Sequence, residues 1–198
     1  MVKSMRVSLI LPLICAVASF ALTLAAIFLP FFVAVRDEAA AAASNANSIG
    51  GHNDKAEATL WEMRTWGPPQ DGSDSKEVML LRNSYFTCNE GKIRIQAAEG
   101  VAIAAVVVAV TNLIMSGFYI YASAVIRFPL AVYFMLGAVA SATVFVLMLT
   151  WYSAGWCEAQ PGLKEEVDMK WVFGSGWMLA AASCGCSVIG CMVTSIPW

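Results

Sequence analysis

Four long stretches of this chain contain no Asp, Glu, Lys, Arg or His. They are Ser8–Val35, Gly100–Ala124, Phe128–Tyr152 and Trp171–Trp198. Each stretch is longer than the roughly 20 apolar residues that a helix needs to cross a ~30 Å hydrocarbon core. Because backbone groups in lipid must find their hydrogen-bond partners within the protein, these stretches are predicted to be helices. The pattern therefore predicts four membrane-spanning helices.

The polar segments between these stretches predict how the chain is threaded through the membrane. They are an amino-terminal segment 1–7, a large loop 36–99, a turn 125–127 and a second loop 153–170. Lys3 and Arg6 precede the first span and Arg127 lies in the turn, whereas all fourteen acids fall in the two loops. The positive-inside rule, counted over residues near the span ends, then predicts cytoplasmic termini and two extracellular loops.

The composition agrees with a multi-pass membrane protein and excludes several other classes. Apolar residues make up 59% of the chain and charged residues 13%, about half the roughly 25% that is typical of globular proteins. A net charge of -2 argues against nucleic-acid binding, which needs a basic surface. The expected partner is the lipid bilayer.

The large loop has the pattern of a small β domain. Two strand-like stretches, Ala58–Trp66 and Glu77–Thr87, flank the turn-rich residues 67–74. The alanine run Ala39–Ala43 is predicted to prolong the first helix, since alanine is the best helix former. The predicted fold class is thus an all-α four-helix transmembrane bundle that carries a small β-containing extracellular domain.

Asn112 is the strongest polar group at depth within the spans. It could line a pore, but an interhelical hydrogen bond is the simpler interpretation, since no charged side chain accompanies it. Small residues at four-residue spacing, which let helix backbones approach closely, indicate helix packing or self-association. They are Gly137 and Ser141, then Gly176, Ala180 and Cys184, and finally Ala182, Cys186 and Gly190.

Two cysteines, Cys88 and Cys157, lie in the predicted extracellular loops close to span ends. An oxidising exterior permits a disulfide between them, although free or separately paired thiols remain the alternative. The sequence contains no nucleophile-elbow, zinc-protease or phosphate-loop motif, and its one histidine, His52, lies in a polar stretch. We expect no enzyme activity, no metal and no cofactor.

The loop sequence resembles a known family. Four spans with a large first outer loop resemble the claudin-like superfamily, and Thr59-Leu60-Trp61 with Arg64 is similar to the amastin signature C-x-T-L-W-G-x-K/R-x-x-C. The stretch 88–106, CNEGKIRIQAAEGVAIAAV, also resembles the corresponding amastin segment. Glu57 and Gly67 stand at the two signature cysteine positions, and Glu62 replaces the glycine.

The resemblance implies a surface membrane protein of kinetoplastid protozoa with roles in membrane organisation and host-cell contact. We therefore expect a non-enzymatic plasma-membrane protein whose outer loop meets further copies of the chain, other membrane proteins or host-surface proteins. Trp61 and Trp66 are interpreted either as the loop's own core or as anchors for a partner. The alternative functions are a pore or channel-auxiliary protein and a structural subunit of a membrane assembly.

Overall fold

The computed structural model describes residues 2–36, 55–66, 76–158, 162–165 and 169–196. Within these ranges there are four α-helices and five β-strands. The helices are α1 Val2–Phe28, α2 Asn89–Tyr119, α3 Ser123–Ala154 and α4 Ser175–Ser195. The strands are β1 Phe32–Arg36, β2 Lys55–Ala58, β3 Glu62–Trp66, β4 Lys76–Leu80 and β5 Met169–Phe173. A π-helical turn occupies Leu81–Tyr85 and a 3-10 turn occupies Leu163–Glu165.

Each of the four helices contains a segment long and apolar enough to cross a membrane. The predicted four-span architecture with a small antiparallel sheet is therefore confirmed. The predicted boundaries are less accurate. Helix α2 starts at Asn89, before the charge-free run, and residues 125–127 belong to α3 rather than to a turn. The chain reverses instead at Ile120–Ala122, where the amides of Tyr121 and Ala122 donate to the Phe118 carbonyl.

Two of the apolar runs change from helix to strand, which the sequence prediction missed. Helix α1 ends at Phe28, shortly before Pro30, because a residue that precedes proline is disfavoured in the helical region. The rest of the predicted first span forms β1, and the start of the predicted fourth span forms part of β5. An apolar run does not by itself distinguish a buried strand from a helix.

The five strands form one antiparallel sheet in the order β4-β3-β2-β1-β5. The predicted hairpin corresponds to β3 and β4, with Arg64 opposite Val78. The predicted first strand, Ala58–Trp66, is in fact the end of β2, a turn and β3. Both the alanine run 39–43 and the turn-rich residues 67–74 lie outside the described residues.

The chain divides into two compact units. The helical unit comprises Met1–Ile27, Gly100–Phe145 and Met178–Trp198. The sheet unit comprises Phe28–Glu99 and Val146–Trp177. The core of the helical unit combines small, aliphatic and aromatic side chains, with Ala16, Leu130 and Phe134 fully buried.

Candidate functional site: the sheet unit and the polar residues of the helices

The signature residues Thr59-Leu60-Trp61 form the tight turn between β2 and β3. The Thr59 hydroxyl accepts hydrogen bonds from the backbone amides of Trp61 at 3.2 Å and Glu62 at 3.0 Å, and donates to the Glu62 carbonyl at 2.9 Å. Leu60 is fully buried, and the Trp61 carbonyl accepts from the Leu81 amide. Thr59 and Leu60 are therefore structural residues that hold the turn and anchor it in the core of the sheet unit.

The β2–β3 hairpin has one buried and one partly exposed face. Ala56, Ala58, Met63 and Thr65 alternate along the buried face. The opposite face carries the signature residue Arg64, which pairs with Glu62 on the same strand. This alternation is the period of two that a strand imposes on its side chains.

Trp66 lies on the same exposed face as Arg64. It is partly buried, and the Lys55 ammonium lies 5.2 Å from the centroid of its ring, within the range of a cation–π contact. Lys55 also forms a 2.7 Å ion pair with Glu57, the residue at one of the signature cysteine positions. The face is therefore a mixture of paired charges around one aromatic ring.

The predicted disulfide between Cys88 and Cys157 is confirmed, with 5.8 Å between the two Cα atoms. The first turn of α2 approaches it closely at Gly91, whose amide donates to Cys88 Sγ at 3.2 Å. A Cβ on Gly91 would lie 2.7 Å from the Phe86 ring and 3.0 Å from Cys157 Sγ. Glycine is required here by the close approach of the backbone.

An aromatic cluster lies within the sheet unit and was not predicted from the sequence. Trp151, which is 1% exposed, has its ring centroid 5.5 Å from Phe86, 5.7 Å from Tyr85, and 5.8 Å from both Phe32 and Trp156. Such edge-to-face and tilted ring pairs add to the free energy of burial. Trp151 and Trp156 are therefore core residues of the sheet unit.

In the helical unit, α2 and α4 both approach α3 at Gly137. Asn112 is 1% exposed, and its amide nitrogen donates to the Tyr133 carbonyl at 3.2 Å, an interhelical bond of the predicted kind. A Cβ on Gly137 would lie 3.5 Å from Asn112 Nδ2 and 3.5 Å from Ser187 Oγ. The small residue at 137 thus lies where a polar side chain of each neighbouring helix meets the α3 backbone.

The other small residues take different positions. Ser141, Gly176, Ala180 and Gly190 are buried, while Cys184 is partly buried with its Sγ 3.5 Å from the Ala138 carbonyl. Cys186 is partly buried, and Ala182 is exposed. Of the predicted row Ala182, Cys186 and Gly190, only Gly190 is thus fully buried within one chain, and packing of this row between copies stays a prediction. In the row Gly176, Ala180 and Cys184, each residue is buried or partly buried within its own unit.

Four hydroxyl groups form a buried cluster between α1 and α4, which the sequence analysis missed. Ser19 Oγ lies 2.9 Å from Ser187 Oγ and 3.2 Å from Ser183 Oγ, and Ser183 Oγ lies 2.6 Å from Thr23 Oγ1. The signal was present in the sequence, since hydroxyl residues recur at four-residue spacing in both spans. Direct hydroxyl bonds of this kind join helices in lipid.

Gly190 and Gly137 provide a matched pair for testing the packing of the helical unit. A Cβ on Gly190 would lie 2.5–2.7 Å from three ring atoms of Phe134, whereas a Cβ on Gly137 meets only ordinary contacts. We expect Gly190→Ala to lower the free energy of unfolding by about 1–3 kcal/mol through overpacking. Gly137→Ala should be neutral or slightly stabilising, because alanine is the better helix former.

The measurement is reversible denaturation by sodium dodecyl sulfate from mixed micelles, followed by circular dichroism. The packing argument is wrong if the two variants lose the same amount of stability.

Comparison with known proteins identifies the family. The family model for the amastin surface glycoproteins matches residues 28–194, which is most of the chain. The chain belongs to the amastin family. No curated protein sequence matches it. Membership places it among membrane surface proteins, in agreement with the four membrane-spanning helices.

This amastin differs from the signature in ways that the structure accommodates. The Cys88–Cys157 disulfide involves neither of the two signature cysteine positions. At one of those positions Glu57 pairs with Lys55, and at the glycine position Glu62 pairs with Arg64. The family description includes the word glycoprotein, but this sequence contains no Asn-X-Ser/Thr acceptor for N-glycosylation.

Proposed function

We propose that this amastin is a non-enzymatic plasma-membrane protein that displays its sheet unit outside the cell for contact with neighbouring molecules or an opposing cell. Both termini are cytoplasmic in this proposal. The observation that carries it is the Cys88–Cys157 disulfide, because disulfides form and persist in oxidising compartments such as the cell surface. Family membership and four membrane-spanning helices support the same location.

The exposed face of β2 and β3 is the proposed contact surface. It presents Arg64 and Trp66, and tryptophan and arginine are the residue types enriched at the energetic centres of protein interfaces. The contacts of Thr59 and Leu60 support a division of roles within the signature. The buried residues shape the turn, and the exposed ones face the partner. That partner is a neighbouring membrane protein, a second copy of the chain or a host-surface protein.

Sidedness is tested by labelling intact cells with an impermeant thiol reagent before and after mild reduction. We expect Cys88 and Cys157 to become labelled only after reduction, with their serine variants as the control. Labelling that requires permeabilised cells would contradict an extracellular sheet unit.

Contact is tested with the variants Trp66→Ala and Arg64→Ala in a cell-binding or co-isolation assay. Each should weaken the interaction about tenfold or more, because a truncated interface centre typically costs well over 1 kcal/mol. Trp61→Ala tests the second tryptophan of the signature, and Thr87→Ala, an exposed residue outside the strands, is the matched control. Unchanged contact in folded Trp66 and Arg64 variants would refute this surface.

The second candidate is a pore or channel-auxiliary function. The buried polar side chains of the helical unit favour it. Asn112, Ser183 and Ser187 are buried among apolar helices, and Asn112 and Ser187 each form a hydrogen bond to a neighbouring helix. Reconstituted bilayers distinguish the two functions. Reproducible conductance that falls in Asn112→Leu would favour the pore, and its absence would leave the display function.

A further inference from the structure

Two polar oxygens of α2 are buried in the helical unit without a hydrogen-bond partner among the described residues. They are Asn112 Oδ1 and Ser116 Oγ. Asn112 is 1% exposed and Ser116 is fully buried. Burying an unpaired polar atom costs about 1–3 kcal/mol, and this cost is not relieved in lipid. Nearly all such atoms in proteins have a protein or water partner.

The two oxygens share one face of α2, since residues four apart lie one above the other on a helix. The amide nitrogen of Asn112 donates to the Tyr133 carbonyl of α3, and this bond fixes the side chain. The Oδ1 atom of the same amide is an acceptor and therefore needs a separate donor. The neighbouring hydroxyl of Thr111 shows the contrast. It is satisfied within its own helix by the Val107 carbonyl at 2.9 Å.

We propose that Asn112 and Ser116 form a buried binding site for a water molecule at membrane depth. The water donates one hydrogen bond to Asn112 Oδ1. It forms a second hydrogen bond with Ser116 Oγ, which can act as donor or acceptor. Internal waters typically make about three hydrogen bonds to groups that are otherwise unsatisfied. Two unpaired oxygens one helical turn apart supply most of that requirement.

The chemistry of the site favours water over a cation. Both oxygens belong to neutral groups, and the charge-free run that contains them has no carboxylate. An ion in this environment would lose its hydration without an opposite charge, which costs far more than the transfer of a neutral molecule. Divalent cations, in addition, take carboxylate ligands in most protein sites.

A bound water would extend the polar contacts of the helical unit along α2. Asn112 already joins α2 to α3, and Ser19 with Ser187 joins α1 to α4. The hydrophobic effect does not drive helices together in lipid, because lipid tails are equally apolar, and helix association depends instead on close packing and on interhelical hydrogen bonds. Directional hydrogen bonds therefore supply selectivity for a single arrangement of the helices.

The test uses the full chain in phosphatidylcholine nanodiscs, with ¹⁵N-labelled asparagine and nuclear magnetic resonance. The side-chain amide of Asn112, assigned from its loss in Asn112→Leu, should show a cross-relaxation peak to a long-lived water. Ser116→Val removes the hydroxyl and fills its space, and should reduce this peak at least threefold. Thr111→Val, which removes the neighbouring self-satisfied hydroxyl, should leave the peak unchanged.

Three results would overturn the proposal. The first is the absence of a water peak at Asn112 in the wild-type protein, which needs no variant to fold. The second is a peak of full intensity in Ser116→Val when circular dichroism and the disulfide show a folded chain. The third is loss of the wild-type peak on raising the Na⁺ concentration at constant ionic strength, which would assign the site to a cation. Neither the first nor the second result bears on the proposed extracellular contact surface.

Discussion

Replacing Trp151 with alanine is expected to lower the free energy of unfolding by about 3–5 kcal/mol, the usual cost of truncating a large buried aromatic residue. Its side chain is 1% exposed and meets the rings of Phe32, Tyr85, Phe86 and Trp156. Alanine would remove four ring contacts at once and leave a cavity that these neighbours cannot readily fill. A loss of this size is a large fraction of the stability of an ordinary domain.

The measurement is the detergent denaturation midpoint and slope, followed by near-ultraviolet circular dichroism of the aromatic residues. Trp151→Phe keeps a ring and should lose markedly less stability. Trp66→Ala removes a tryptophan of the same unit that is only partly buried. This variant should lower the free energy of unfolding by about 1 kcal/mol, which includes the loss of the cation–π contact with Lys55. Equal losses for Trp151→Ala and Trp66→Ala would contradict the assignment of Trp151 to the core.

Removing the disulfide is expected to have the second largest effect. The bond closes a loop between residues 69 positions apart, for which the chain-entropy relation gives about 4 kcal/mol. This value is an upper bound, because inserted helices restrict the unfolded chain even without the bond. Cys88→Ser with Cys157→Ser should therefore lower the stability of the sheet unit by up to that amount, and dithiothreitol should have the same effect on the wild-type protein.

The matched control for the disulfide is a pair of free cysteines, Cys184 and Cys191, both partly buried. Their replacement by alanine tests for a general effect of cysteine substitution, and should cost much less. Thermal denaturation in micelles, monitored through tryptophan fluorescence, measures both pairs. If the free-cysteine pair destabilises the protein as much as the disulfide pair, the bond has no special role in stability.

The sequence predicts the structure most reliably where one contribution to the free energy outweighs the others. The absence of ionisable side chains over four long runs predicts the spans, since the cost of charge in lipid outweighs local preferences. The signature residues Thr59 to Arg64 identify the family without reference to geometry. For Cys88 and Cys157 the sequence was less decisive, since an oxidising exterior permits their pairing but leaves free or separately paired thiols as the alternative.

Boundaries and faces could not be predicted in the same way. Residues 32–35 are as apolar as the helix that precedes them, yet they lie in the interior strand β1, with β2 on one side and β5 on the other. Their conformation depends on partners far away in the chain. The division of the signature between the buried Leu60 and the outward Arg64 likewise follows from the register of β2 and β3.

The sequence alone thus determined a four-span membrane protein of the amastin family, because hydropathy and motif are local properties. The tertiary structure decided that the end of the first apolar run and the start of the fourth lie in strands of one five-stranded sheet, and that Trp151 lies in an aromatic core. It also decided which polar groups of the spans meet, as Ser19 does with Ser187. These features arise from contacts between segments that are distant in the sequence. Such contacts contribute to stability only when the segments are packed together.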